Sequence, residues 1–147
     1  MFKPITKKFN LQIFISYFGI LPIFIINLDI HIFNIFSLNL FKNFLIFYTL
    51  LIFSFIGAMR WNFDKNSNSL NILYGFIPSL ISTILIFLNI LNYNKDLILI
   101  VILFFLFTQV VCDYLLTNNN FSIFYFYYVR LPITIIVLLN IIYFIVV

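Results

Sequence analysis

Five long apolar stretches constrain this chain more than any other feature. They occupy residues 11–28, 40–61, 70–91, 97–116 and 122–147. An α-helix rises about 1.5 Å per residue, so about 20 apolar residues cross the roughly 30 Å hydrocarbon layer of a bilayer. Hydrophobic residues make up 65% of the sequence and charged residues only 8%, which is far from the composition of a soluble domain. The sequence therefore predicts an all-α integral membrane protein, a bundle of five transmembrane helices.

The connections between these stretches are short and polar. They comprise residues 29–39, 62–69, 92–96 and 117–121, which are rich in the Asn and Ser that favour turns. Short connections make neighbouring membrane helices antiparallel and leave no room for a soluble domain. We therefore expect a single transmembrane helical domain over residues 1–147.

The orientation of the bundle follows from the distribution of Lys and Arg, which are enriched in loops on the cytoplasmic side. With the N-terminus inside, six of these residues lie inside and two lie outside. The inner set is Lys3, Lys7, Lys8, Arg60, Lys65 and Arg130, and the outer set is Lys42 and Lys95. The predicted topology is N-in, C-out.

Catalytic and metal-binding chemistry find little support in the sequence. Cys112 is the one cysteine and His31 the one histidine, so neither a disulfide nor a zinc or haem ligand set can be assembled. Under the predicted topology Cys112 lies near the inner face and His31 in the first outer loop, too far apart for a nucleophile and its base. We expect no enzymatic activity, no cofactor and no metal, and the charges at membrane boundaries make a nucleic-acid partner improbable.

Small residues and prolines predict where the helices pack and bend. In membranes, small residues allow helix backbones to approach closely, and proline removes a backbone donor and kinks a helix. Ser54 and Ala58 form a small-xxx-small pair, and helix three has a small, weakly polar face. Helices one and three are predicted to be kinked at Pro22 and Pro78. The full set of packing and kink residues is Gly19, Pro22, Ser54, Gly57, Ala58, Gly75, Pro78, Ser79 and Ser82.

A polar cluster is predicted at the inner face from Arg60, Asp113, Arg130 and Gln109. Gln109 and Asp113 are four residues apart and therefore share a helix face. Three interpretations remain open. Asp113 bridges the two arginines and fixes the helix ends; or the excess positive charge binds an anionic headgroup or phosphate; or Asp113 transfers protons or ions. The last ranks lowest, because no second acidic residue falls within a predicted span.

Aromatic residues flank both arginines. Trp61 follows Arg60, and Tyr127 and Tyr128 precede Arg130. Amphipathic rings are enriched at the headgroup layer, so these residues are predicted to be interface anchors, and Arg60 could simply extend to the interface.

Several ordered motifs resemble a membrane family of unknown function that includes the mitochondrial protein called transmembrane protein sixty-nine. They are YFGILP at 17–22, FSFIGAMRW at 53–61, YGFIPS at 74–79, QVVCDYL at 109–115 and YYVRLPIT at 127–134. The resemblance implies a small multi-helix protein of the bacterial cytoplasmic (inner) membrane, or alternatively of the mitochondrial inner membrane, with no established activity. Tyr127 and Tyr128 stand where the family more usually has a Trp-Tyr pair.

The sequence thus favours a non-enzymatic accessory or assembly factor of the inner membrane, which binds membrane lipids, anionic lipid among them, or other inner-membrane proteins. The alternative is a small transporter or channel that acts as a homo-oligomer, with its path formed by the Pro78 kink and the polar faces of predicted helices three and four, at residues 70–91 and 97–116.

Overall fold

The structure, a computed structural model, describes residues 7–33, 35–58, 69–115 and 126–146. Within these ranges the chain forms helices and their connections and contains no β-strand. The α-helices are α1 (Lys7–Phe18), α2 (Leu21–Leu28), α3 (Leu38–Ala58), α4 (Ser69–Ile90), α5 (Lys95–Leu115) and α6 (Leu131–Val146). Two π-helical turns, Asp29–Phe33 and Phe126–Arg130, extend α2 at its end and α6 at its start.

Five helical stretches are long and apolar enough to cross a membrane, which confirms that part of the prediction. They are Ile13–Phe33, Leu38–Ala58, Ile72–Ile90, Lys95–Leu115 and Phe126–Val146. Four of them end within a few residues of the predicted limits at both ends. The first differs, because it continues to Phe33 where the sequence predicted an end at Leu28.

The first stretch is interrupted between α1 and α2. Pro22 lies in the first turn of α2, where a missing backbone N–H leaves no helical hydrogen bond unmade. The N–H of Ile23 donates to the carbonyl of Ile20, three residues back, so the carbonyl of Gly19 takes another partner, the hydroxyl of Tyr48 on α3. Irregular backbone is tolerated at membrane depth when a neighbouring helix supplies the lost hydrogen bond. A bend at Pro22 or at Pro78 remains a prediction.

In the last stretch, too, a side chain from another helix bonds to a carbonyl that has lost its helical donor at a proline. Pro132, in the first turn of α6, has no N–H to donate to the carbonyl of Tyr128 four residues earlier. The hydroxyl of Tyr17 on α1 donates to that carbonyl at 2.6 Å. The first and last stretches are therefore joined through a backbone group that proline releases.

Asp29 corrects one premise of the sequence interpretation. It was assigned to a connecting loop, but it lies in the π-helical turn that ends the first stretch, and it is buried. Its Oδ2 accepts a hydrogen bond from the N–H of Phe36 at 3.2 Å, in the turn that leads into α3. Asp29 thus falls within a candidate span, and so does Asp96 near the start of Lys95–Leu115.

The α3–α4 contact is a seam of small residues. A Cβ on Gly57 would lie 2.7 Å from Cγ of Pro78, so only glycine allows this approach. Ser54 Oγ and Ser79 Oγ are 3.1 Å apart, and the hydroxyl of Ser82 donates to the carbonyl of Leu50 at 3.1 Å. Ala58 is exposed, so the second small residue of this contact is Gly57.

The apolar core lies between α2, α3, α5 and α6, and α4 contributes Leu85 to it. Leu45, Leu99, Ile141 and Phe144 are all fully buried in it. The outward faces of the helices expose large apolar side chains such as Phe55, a surface that lipid can cover. Tight packing in this core holds the polar side chains described next in fixed positions.

Candidate functional site

A buried ion pair joins α5 to the start of α6. Asp113 lies in the last turn of α5, and Arg130 ends the π-helical turn before α6. Nε of Arg130 donates to Oδ2 of Asp113 at 2.7 Å, and the two side chains are 7% and 5% exposed. Hydrogen bonds between charged groups are stronger than neutral ones, and neither charge could remain in this interior without its partner.

Gln109 extends this pair to α3. It lies one helical turn before Asp113, so both side chains point to the same side of α5. Its Oε1 accepts a hydrogen bond from Nη2 of Arg130 at 3.0 Å, and its Nε2 donates to the carbonyl of Phe53 on α3 at 3.2 Å. Both ends of the amide are therefore used, one on the cation and one on a neighbouring backbone.

Tyr74 connects α4 to the same carboxylate. Its hydroxyl lies 2.7 Å from Oδ1 of Asp113, to which it donates, and 3.2 Å from the carbonyl oxygen of Gln109. Each carboxylate oxygen of Asp113 thus has a donor. We call Tyr74, Gln109, Asp113 and Arg130 the Asp113 network; with the Phe53 carbonyl it links α3, α4, α5 and α6.

Within the network, the polar groups of the side chains serve as one another's hydrogen-bond donors and acceptors. Among the described residues the network contains one negative and one positive charge, and two of the three guanidinium nitrogens of Arg130 are bonded to Asp113 and Gln109. Thr134 Oγ1 also donates to the carbonyl of Arg130 at 2.8 Å, which holds the junction between the π-helical turn and α6. Such an arrangement suits helix attachment better than the capture of an external anion.

The structure brings together three of the four residues predicted for the inner-face cluster: Gln109, Asp113 and Arg130. The fourth, Arg60, lies outside the described residues, as does the predicted anchor Trp61. Tyr127 and Tyr128 are exposed beside the buried Arg130. Their positions agree with a headgroup-facing role, which remains a prediction.

Sequence reasoning missed the contribution of Tyr74. The sequence placed Tyr74 in the third predicted helix, which is α4 in the structure. A tyrosine near a helix end can have many roles, and no sequence feature indicated that its hydroxyl contacts Asp113. Tyr74 and Pro78 are four residues apart and therefore share a face of α4, but the burial of Pro78 on that face is decided by tertiary packing and cannot be read from the sequence. Asn140 on α6 bonds to another helix, because Nδ2 of Asn27 on α2 donates to its Oδ1.

A second salt bridge lies at the opposite end of the bundle. Nζ of Lys42 on α3 is 2.9 Å from Oδ1 of Asp96 on α5, and the Lys95 ammonium donates to Oδ1 of Asn39 nearby. Among the described residues, no three His, Cys, Asp or Glu side chains are grouped so that they could hold a metal ion. The Asp113 network is therefore the strongest candidate site in the described part of the chain.

Comparison with known proteins identifies a family. A family model described as "Protein of unknown function (DUF3429)" matches residues 10–146. The chain belongs to this family. Neither the curated proteins nor the solved structures contain a match to it. Because the description of the DUF3429 family names no activity, a functional proposal has to rest on the geometry of the Asp113 network.

Proposed function

We propose that this DUF3429 protein is a non-enzymatic, multi-pass membrane protein that acts as an accessory or assembly factor by binding other membrane components. The observation that carries the proposal is the Asp113 network, in which the buried charged and amide groups of the described residues are bonded to one another and to the Phe53 carbonyl. A catalytic or transport residue must be able to change partners, whereas these groups hold four helices together. The working surface is then the outside of the bundle.

Within this proposal the Asp113 network acts as a helix-end clamp. Removing either charge would leave the other buried and unpaired, which costs several kcal/mol, so the clamp holds one arrangement of α3, α4, α5 and α6. An anionic headgroup bound at Arg130 would have to displace Asp113 or Gln109. Lipid binding therefore belongs to exposed groups around the network, with Tyr127 and Tyr128 as headgroup anchors.

The bonds made by α4 and α5 count against the alternative of a transporter or channel with its path along the polar faces of these two helices, the predicted helices three and four. On α5, Gln109 and Asp113 are bonded within the Asp113 network. The polar side chains proposed to line that path, Ser79 and Ser82, bond directly to α3. The backbone of Gly57 also lies too close to Pro78 to leave space for a solute. Solute flux into liposomes that Asp113→Asn abolishes would restore the alternative.

Affinity purification from native membranes tests the accessory role. We expect the full chain, extracted in a mild detergent, to carry a reproducible partner protein or lipid, and an unrelated five-span protein purified in parallel to lack it. Asp113→Ala serves as a second sample, because a disrupted bundle should lose the partner. Repeated recovery of a lone monomer without protein or lipid would contradict the proposal.

The proposed location is the bacterial cytoplasmic membrane, with the mitochondrial inner membrane as the alternative, and the proposed orientation is N-in, C-out. The support is the excess of Lys and Arg in the sequence segments that this orientation places inside. Single cysteines introduced at Asn66 and Asn94, in a Cys112→Ser background, test it by labelling with a membrane-impermeant thiol reagent. Only the cysteine at position 94 should react from outside, and the reverse pattern would invert the topology.

A further inference from the structure

The end of the bundle opposite the Asp113 network contains a buried amide that the proposed function does not use. Asn89, in the last turn of α4, is 5% exposed. Among the described residues, its Oδ1 is the one buried side-chain nitrogen or oxygen that has no hydrogen-bond partner. Such atoms are rare in folded proteins, and an unpaired amide oxygen is unfavourable in an apolar interior. Asn89 therefore points to a missing donor.

Asn89 lies on the side of α4 that faces the core. Ser82 and Leu85, seven and four residues earlier, are both buried, and residues at this spacing share one helix face. The hydroxyl of Ser82 donates to the carbonyl of Leu50 on α3. Asn89 thus continues, two turns further along, the face through which α4 contacts its neighbours.

The registers of two helix pairs place Asn89 at the level of the Lys42–Asp96 salt bridge. Along antiparallel α3, seven residues before Leu50 is Asn43, next to Lys42. Tyr74 contacts Gln109 and Asp113 on α5, so fifteen residues further along α4 correspond to positions 94–98, which contain Asp96. The two registers are independent of each other. Both place Asn89 at the level along the bundle of the Lys42–Asp96 ion pair, which joins α3 to α5.

The chemistry of this junction favours water as the ligand. The Lys42 ammonium has three N–H donors, one of which goes to Asp96, and its side chain is 14% exposed. It would repel a metal cation, whereas a water molecule can accept from the ammonium and donate to an amide oxygen. Buried waters typically bind about three polar groups that have no other partner.

We propose that Oδ1 of Asn89 binds a buried water molecule that also accepts a hydrogen bond from the Lys42 ammonium. The water joins α4 to the α3–α5 salt bridge, so three helices meet through polar groups at this end as four do at the other. This inference concerns the opposite end of the bundle and does not rest on the proposed function.

The sign of the effect of Asn89→Leu tests the water site. Leucine has a similar volume and needs no hydrogen bond, so replacing a truly unpaired amide would leave the thermal midpoint in detergent unchanged or raise it. If the water links Asn89 to Lys42, Asn89→Leu should lower the midpoint by about 3 °C. A midpoint that is unchanged or raised overturns the proposal.

A double-mutant cycle identifies the partner. In a Lys42→Met background the lowering caused by Asn89→Leu should disappear, because the water has lost its donor. The matched control is Lys95→Met, which removes a neighbouring ammonium that bonds Asn39; there the lowering should persist. Persistence in the Lys42→Met background, or loss in both backgrounds, contradicts the assignment to Lys42.

Nuclear magnetic resonance of the full chain in detergent detects the water directly. Magnetisation should pass from water to the side-chain amide protons of Asn89, in a signal that Asn89→Leu removes. The side chain of Asn140, which bonds Asn27 and the Ile136 carbonyl, is the comparison and should give a much weaker transfer. No transfer at Asn89 overturns the water site.

Discussion

The two ends of the bundle each contain a salt bridge between helices, and the bridges differ in their surroundings. Asp113 and Arg130 have side chains that are 5% and 7% exposed, and Tyr74 and Gln109 bond to the pair. At the opposite end the side chain of Asp96 is 48% exposed, although its distance to Lys42 is almost as short. Distance therefore does not separate the two bridges; burial and additional hydrogen bonds do.

This difference indicates which of the two salt bridges fixes the arrangement of the helices. An exposed pair can exchange its partner for water, so it contributes about 0–1 kcal/mol. A buried pair cannot, and breaking it costs about 3–5 kcal/mol because a lone charge is left inside. We expect the Asp113 end to hold the helices in one arrangement and the Lys42 end to tolerate change.

Removing Asp113 should have the largest effect. Asp113→Ala leaves Arg130 buried without a counter-ion and should lower the free energy of unfolding by about 3–5 kcal/mol. Asp96→Ala at the opposite end should cost less than about 1 kcal/mol. Unfolding in detergent by titration with a denaturing surfactant measures both, and equal effects would remove the distinction between the ends.

The same measurement extends to Arg60. Arg60→Ala should be milder than Asp113→Ala, because it leaves the Asp113–Arg130 pair in place, whereas loss of Asp113 leaves Arg130 buried without a counter-ion. Equal and negligible effects would mean that these charges are independently solvated.

Tyr74→Phe sharpens the comparison by removing one hydroxyl and leaving the ring. The Asp113 carboxylate would lose a donor in a buried site, which should cost about 1.5–3 kcal/mol. Tyr93→Phe is the matched control at the opposite end, where the side chain is 57% exposed, and it should have almost no effect. A Tyr74 variant as stable as the Tyr93 variant would show that the Asp113 network does not depend on α4.

Gly57→Ala tests whether the Asp113 end depends on the close approach of α3 and α4. The added methyl group would lie 2.7 Å from Cγ of Pro78, so the helices must separate, at a cost of about 1–2 kcal/mol. Ala58→Val, at an exposed position on the same helix, provides the control. Thermal unfolding in detergent compares them, and a neutral Gly57→Ala would mean that Pro78 can move aside.

Lys42→Met should give the smallest change of these substitutions, about 1 kcal/mol, because the methionine side chain keeps most of the packing of the lysine stem while the salt bridge to the exposed Asp96 and the water-mediated bond to Asn89 are lost. Raising the salt concentration should weaken the wild-type bridge in the same way and leave the Asp113 pair unaffected, because only exposed charges are screened. If Lys42→Met lowered the free energy of unfolding by several kcal/mol, independently of salt, the Lys42–Asp96 bridge would behave like the buried Asp113–Arg130 pair.

The candidate site was only partly predictable from the sequence. Gln109 and Asp113 had to share a face because they are four residues apart on one helix, and Arg130 had to lie near a span boundary. The hydroxyl of Tyr74 and the carbonyl of Phe53 could not be predicted, because their roles depend on how α3 and α4 are rotated about their own axes. Small residues near the end of α3 were likewise recognisable, but the choice of Gly57 over Ala58 for close contact depends on the same rotation.

Asp29 shows the corresponding difficulty for the fold. A charged residue after an apolar run predicted the end of the first helix at Leu28, yet the helix continues through Asp29, whose carboxylate accepts a hydrogen bond from the turn into α3. Hydropathy weighs each residue by its own transfer cost, and it cannot include a donor that comes from elsewhere in the chain. Boundaries at polar residues are uncertain for this reason.

The sequence by itself determined that this chain forms five apolar helices with its arginines near their ends, because length and hydropathy are properties of each segment alone. Only the tertiary structure decided that Arg130 meets Asp113, that Gln109 and Tyr74 bond to the pair, and that the buried Asn89 oxygen at the other end has no protein donor among the described residues. These contacts join residues on different helices. Helical periodicity specifies a face, but the packing of all the helices together selects the neighbour that this face meets.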